Sequence, residues 1–223
     1  VITGEVKGGF LSSDRAEAQW FKGTGTGVLF ETTPRVIGAG LGSFPRVRDI
    51  DGDGDLDIAS AEFFHTEGDS FVWLERTADP TDANPSGSFN RHVIDGDSGP
   101  SIMFTFVEDM FGDGELRALG ANHTNTNASE PDPWESGVFL FEIPEDPTRA
   151  WDKTLISEGI ESRPGNMFSP QAAPGIFGPG DMDNDGDIDV VVSGDGDPNV
   201  YWLEQIANHQ FETHVLEEGL GQA

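Results

Sequence analysis

Val47-Arg-Asp-Ile-Asp-Gly-Asp-Gly-Asp-Leu-Asp-Ile58 is the stretch on which the reading of this chain turns. Counted from Asp49, aspartates hold the first, third, fifth, seventh and ninth positions, and Gly54 permits a sharp turn. Gly180-Asp-Met-Asp-Asn-Asp-Gly-Asp-Ile-Asp-Val190 repeats the pattern, and Val107-Glu-Asp-Met-Phe-Gly-Asp-Gly-Glu-Leu-Arg117 is a worn copy. The three loops start at Asp49, Asp109 and Asp181, which are 60 and 72 residues apart. Two more landmarks follow each loop in the same order. They are Phe71-Val-Trp-Leu-Glu75 and Phe89-Asn-Arg-His-Val-Ile94 in the first unit, and Val200-Tyr-Trp-Leu-Glu204 and Phe211-Glu-Thr-His-Val-Leu216 in the third. The middle unit has Val138-Phe-Leu-Phe-Glu142 and then Trp151 through Ile156. Several landmarks recurring at one long period mark a repeat architecture.

Apolar runs rich in β-branched and aromatic residues, such as Asp189–Ser193, Phe71–Leu74 and Val138–Phe141, lie between clusters of Gly, Pro, Asn and Asp, and so read as strands. No stretch sustains a helical period with caps; Asp14–Gln19 comes nearest and is short. The class is all-β. Units of this size with about four antiparallel strands match the blades of a β-propeller better than a two-sheet sandwich. The expected units of this single propeller segment are 1–42 (partial), 43–98, 99–160 and 161–223. In the partial unit Val1–Gly9 is the strand after a loop, Trp20-Phe21-Lys22 is the Trp landmark, and Phe30 through Ile37 is the last strand. Three full blades and one partial blade cannot close a ring, so the chain is expected to be a piece of a larger propeller or to be completed by other chains. A start at Val1, without an initiator Met or signal peptide, agrees with a processed or partial chain.

With 223 residues, 35% of them hydrophobic, five Trp and 16 Phe, the chain can bury a core. Its 12 basic and 41 acidic residues give a formal charge of -29, which disfavours nucleic acid and anionic lipid as partners and asks for cations to offset self-repulsion. Such a balance also suits a marine or salt-loving source. The absence of Cys excludes disulfides, thiolate metal sites and a Cys nucleophile. No apolar run approaches the ~20 residues of a membrane span.

Aspartates at positions 1, 3, 5 and 9 of a tight loop aim several carboxylates at one point, and position 7 can add a backbone carbonyl. This hard-oxygen shell suits Ca²⁺. The expected ligands are Asp49, Asp51, Asp53 and Asp57 with the Asp55 carbonyl, and Asp181, Asp183, Asp185 and Asp189 with the Asp187 carbonyl, giving two sites. An EF-hand begins the same way but needs a bidentate Glu at position 12, where Ser60 and Val192 stand, and a helix where strand-forming residues follow. In the middle loop Phe111 and Arg117 occupy positions 3 and 9, so no calcium is expected there. Arg117 is instead expected to reach Asp109 or Asp113 as the local counter-charge.

At these residues the sequence resembles the FG-GAP/VCBS repeat family, calcium-loop propellers shared by integrin α-subunit heads and many secreted bacterial and fungal proteins. The resemblance covers nearly the whole chain and is strongest in the first and third loop-bearing units. Ala121-Asn-His-Thr-Asn125, Gly137-Val-Phe-Leu-Phe-Glu-Ile143, Ala172-Ala-Pro-Gly175 and Ser193-Gly-Asp-Gly-Asp197 are similar to the propeller part of aldos-2-ulose dehydratase-like proteins. The resemblance implies a closed ring of blades with calcium in the blade loops and a secreted, extracellular or periplasmic location.

Aligning the units places Glu62 to His65, Asn122 to Asn125 and Gly194 to Asp197 just beyond the same strand of successive blades. Glu62, His65, His123 and Asp195 are therefore candidates for an acid/base or metal cluster, with polar loop residues on a solvated face as the plainer alternative. Trp20, Trp73 and Trp202 could stack on sugars if exposed, but their fixed place in the repeat favours packing inside a blade, and His92 and His214 read as structural for the same reason. Asn122-His-Thr and Asn127-Ala-Ser are glycosylation sequons, and Gly23-Thr-Gly-Thr-Gly27 reads as a turn. Two functions fit. One is a non-catalytic, calcium-stabilised recognition or scaffold module that binds protein or glycan through loops on one face. The alternative is the propeller of a carbohydrate-active lyase or dehydratase with His123 and nearby acids at the chemistry. The first requires fewer coincidences.

Overall fold

The computed structural model describes residues 2–5, 17–25, 27, 29–39, 41–42, 44–62, 69–165 and 171–220. Among these residues there are strands and turns and no helix. The strands form four antiparallel sheets, each in simple up-and-down order. The first sheet holds β1 (Ile2–Glu5), β2 (Glu17–Trp20) and β3 (Arg35–Ala39). The second holds β4 (Arg46–Arg48), β5 (Asp57–Ala61), β6 (Phe71–Ala78) and β7 (Ser88–Asp95). The third holds β8 (Ser101–Glu108), β9 (Leu116–Asn122), β10 (Val138–Glu142) and β11 (Asp152–Leu155). The fourth holds β12 (Phe177–Gly180), β13 (Asp189–Ser193), β14 (Val200–Ala207) and β15 (Gln210–Glu217). Part of the helix-like stretch Asp14–Gln19 falls in β2, where tertiary pairing with β1 and β3 sets the conformation. No helix among the described residues is long and apolar enough to cross a membrane.

Side chains alternate across a strand, so a strand covered on both faces must be apolar at every position. That is why Phe71 to Leu74 and Val138 to Phe141 are unbroken hydrophobic runs. Phe71 and Trp73 enter one core layer with Phe104, Phe139, Phe141 and Trp151, while Val72 and Leu74 enter another with Ala18, Leu41 and Ile58. Val138 and Leu140 point away from Phe139 and Phe141, into a third layer with Val190, Val192, Tyr201 and Leu203. Each layer lies between consecutive sheets, so the four sheets pack face to face in chain order. Close approach demands glycine at Gly120, where an added Cβ would sit 2.6 Å from Cε1 of Phe71 in the preceding sheet. Polar ties cross the same boundary: Trp73 Nε1 donates to the Pro147 carbonyl at 3.1 Å, and Arg46 Nε to Thr105 Oγ1 at 3.0 Å.

Candidate metal centres

The acidic loops join the first and second strands of the second, third and fourth sheets. They share one hydrogen-bond plan. Asp49 accepts from Gly52 N at 2.8 Å and Gly54 N at 3.1 Å, and Asp181 accepts from Asn184 N at 2.6 Å and Gly186 N at 3.2 Å. Asp51 and Asp53 accept from the N–H two residues on, at 3.1 and 2.7 Å, and Asp183 and Asp185 do the same at 3.1 and 2.9 Å. These local turns coil the chain so that carboxylates face one another. Gly54, Gly114 and Gly186 hold the corresponding positive φ of 94°, 79° and 102° that the coil requires.

One ligand oxygen from each of Asp49, Asp51 and Asp53 lies within 4.8 Å of the others, and so do oxygens of Asp181, Asp183 and Asp189. All the donors are carboxylate oxygens at a spread that one hard divalent cation can bridge, so the residues present fit Ca²⁺. Asp57 is buried and spends its two oxygens on Ile50 N at 2.9 Å and Arg76 N at 2.8 Å, locking the loop to β6. Asp189 makes the matching bonds to Met182 N at 3.0 Å and Gln205 N at 2.8 Å while still joining its cluster. Asp55 is ion-paired to Arg76, whereas Asp187 has no such guanidinium, because Gln205 holds that place. Burial pushes the Asp57 carboxyl above its ordinary range against the two backbone donors, and the charges of Asp51 and Asp53 push the same way. Desolvation also raises Asp183, with Asp185, Asp189 and Glu204 adding like charge.

The middle loop keeps the plan and changes the counter-charge. Asp109 Oδ1 accepts from Gly114 N at 2.6 Å and Asp113 Oδ1 from Glu115 N at 3.0 Å. Arg117, the position-9 residue, grips both oxygens of Asp113 at 2.8 Å each and Glu142 Oε1 at 2.8 Å. Its guanidinium carbon sits 4.5 Å from the centre of the Phe111 ring. The two substitutions seen in the sequence therefore form one unit, and of the two expected partners Arg117 takes Asp113. Hydrogen bonding from Arg117 holds the Asp113 carboxyl down at about 2.

A third convergence, Glu204, Glu212 and His214, lies on the face of β14–β15 away from the third sheet. The second sheet carries Glu75, Asn90 and His92 in the same places, with His92 Nε2 at 2.7 Å and Asn90 Nδ2 at 3.3 Å from Glu75. Glu212 in place of Asn90 makes the difference, and nothing in the loop periodicity signals it.

The other candidates sit on the opposite edge, in the second-to-third strand connections. Among the three that lie in the described residues, His123 and Asp195 meet. His123 is buried; its Nδ1 donates to the Pro174 carbonyl at 2.8 Å, and its Nε2 lies 3.3 Å from Asp195 Oδ2. Glu62, also buried, is joined by Arg91 at 3.0 Å, and Arg91 also meets Asp69 at 2.6 Å. His65 lies outside the described residues. Around the His123–Asp195 pair, polar groups hold the loops together. Asp197 accepts from Glu161 N at 3.0 Å, Asn199 N at 2.9 Å and the Tyr201 hydroxyl at 2.5 Å. Burial and this carboxylate push the Tyr201 hydroxyl pKa up, keeping it protonated. The sequon residue Asn122 is fully buried, with its amide on the Ser98 and Glu135 carbonyls, and Asn127 Nδ2 donates to Glu161 and Ser162. Trp73 is fully buried, while Trp20 and Trp202 are half-buried.

Fold and site together define an all-β protein of stacked antiparallel sheets with acidic hairpin loops along one edge. Comparison with known protein families, with curated proteins and with solved structures returns no match for this chain.

Proposed function

We propose that this chain is a calcium-stabilised segment of a β-propeller of the FG-GAP/VCBS type, acting outside the cell as a recognition or scaffold module for protein or glycan. The observation that carries the reading is the convergence of Asp49, Asp51 and Asp53, and of Asp181, Asp183 and Asp189, on hairpins with one shared hydrogen-bond plan. Calcium would supply positive charge to carboxylates that otherwise repel, fastening the first two strands of a sheet. The metal role is structural: each cluster lies at the edge opposite the His123–Asp195 pair, and Asp57 and Asp189 tie its loop to the third strand. Sheet-on-sheet packing takes up the faces that the four sheets turn to one another, which leaves the loops among the surfaces open to a partner.

The lyase or dehydratase alternative draws on one observation, the pairing of buried His123 with half-buried Asp195. The His123 ring has its Nδ1 committed to a backbone carbonyl, and its surroundings serve loop-to-loop hydrogen bonding, which favours the module. Glycan-array binding and an assay for unsaturated sugar products, run on wild type and His123→Ala, separate the two. The module predicts binding with no turnover in either protein. Turnover in wild type that is lost in the variant overturns it.

A further inference from the structure

We propose that Glu204, Glu212 and His214 form a binding site for Zn²⁺, separate from the aspartate loops. The proposal rests on these side chains and not on calcium in the loops.

The site follows from the register of one hairpin. Glu204 on β14 stands opposite Glu212 on β15, and Trp202 stands opposite His214. Side chains two residues apart on a strand share a face, so all four project from the same side of the sheet. One ligand atom from each of Glu204, Glu212 and His214 lies within 4.8 Å of the other two. His214 Nε2 is 2.5 Å from Glu204 Oε2, and the Trp202 ring lies on the imidazole with ring centres 4.9 Å apart, which supports its orientation. Like charges directly opposite each other across two strands are destabilising, and a cation between Glu204 and Glu212 removes that cost.

The second sheet carries the same hairpin with one telling change. Trp73, Glu75 and His92 hold the matching places, with His92 Nε2 2.7 Å from Glu75, but the residue opposite Glu75 is Asn90. Asn90 Nδ2 donates to Glu75 at 3.3 Å, so a neutral donor stands where the fourth sheet has a second carboxylate. No fixed charge offsets the exchange. Arg76, the next residue on β6, has Gln205 as its counterpart, and residues 164–223 contain no Lys or Arg. The group also does not depend on an open end of the stack. The third sheet covers the second, yet Asn90 stays exposed, Glu75 and His92 stay partly exposed, and the Glu75 partners Asn90 and His92 both lie on β7. The same positions on β14 and β15 are thus open to an ion with or without a further sheet against that face.

The donor set selects the ion. An imidazole nitrogen with two carboxylates suits zinc, whereas calcium takes oxygen ligands, and three protein ligands leave a position for water. Such an ion ties β14 to β15 and neutralises the two opposed carboxylates.

Calorimetric titration of the calcium-saturated full chain with zinc chloride tests this. The expected result is one zinc ion per chain, held roughly 10- to 100-fold more weakly in Glu212→Asn and not measurably in His214→Ala. Glu212→Asn installs the residue type found in the second sheet and should leave the zinc-free melting temperature unchanged, which separates loss of a ligand from misfolding. The reverse exchange, Asn90→Glu, should add a second zinc ion. No zinc binding, zinc held equally by wild type and both variants, or one-for-one displacement of the zinc by calcium overturns the proposal. A chain that binds zinc in this way and no calcium counts against the loops alone. One that binds two calcium ions and no zinc counts against this site alone.

Discussion

In the loop between β4 and β5, Asp49 gathers the N–H groups of Gly52 and Gly54, and three carboxylates are left facing one another. In the loop between β8 and β9, Asp109 gathers Gly114 N in the same way, but a guanidinium occupies the space between Asp113 and Glu142. The backbone coil thus depends on the first Asp and the positive-φ Gly, not on what neutralises the loop. Charge compensation is a separate choice. One hairpin carries its counter-charge covalently in Arg117, while the other two are the loops proposed to take a cation from solution. The carboxyls register the contrast, with Asp57 pushed up by burial and Asp113 pulled down by Arg117.

The largest expected effect comes from removing the first ligand of an ion-type loop. Asp49→Ala or Asp181→Ala should each abolish one calcium ion and its stabilisation, about 2.7 kcal/mol at a hundred times Kd. That corresponds to roughly 5–10 °C in melting temperature. Differential scanning calorimetry in saturating calcium against EDTA reads it, and the loss should vanish in EDTA apart from the missing loop hydrogen bonds. Arg117→Ala should cost about 2 kcal/mol, because Glu142, Asp113 and Phe111 lose a shared partner. Unlike the aspartate variants, its loss should be equal in calcium and in EDTA. Arg117→Lys retains the charge but not the two-pronged grip or the stacking on Phe111, so about half that loss is expected in the same melts.

Much of this contrast is legible in residue types alone. The Asp and Gly spacing marks the hairpins, and Phe111 with Arg117 marks the loop whose aspartate is gripped by a guanidinium. The unbroken runs around Trp73 and Leu140 mark strands covered on both faces. Long-range partners are not legible. The pattern does not reveal that the Asp57 oxygens go to Ile50 and Arg76 while Asp189 also joins its cluster, because that depends on how a hairpin settles on the third strand. Likewise the demand for glycine at Gly120 comes from Phe71 in another sheet, and the tie on His123 comes from Pro174, fifty-one residues away. Alignment of the units puts Glu62 and His123 at equivalent strand ends, yet Glu62 pairs with Arg91, which also meets Asp69.

The smallest effect is the pH dependence of the Arg117 unit. With the Asp113 pKa lowered from 3.8 to about 2, the ionised carboxylate contributes stability fully above the unfolded value and loses it as pH falls through about 2. The difference in melting temperature between wild type and Arg117→Ala should stay level from neutral pH down to about 4 and shrink below that. A buried carboxyl raised like that of Asp57 acts in the opposite sense in metal-free protein. Its contribution is full below the unfolded value and lost as pH rises through the raised one.

Calorimetric titration of EDTA-stripped protein with calcium tests the central contrast most directly. The account predicts two ions per chain, one lost in Asp49→Ala, the other in Asp181→Ala, and neither in Arg117→Ala. Absence of binding, or a third ion held at Asp109–Arg117 in the wild-type chain, would contradict it.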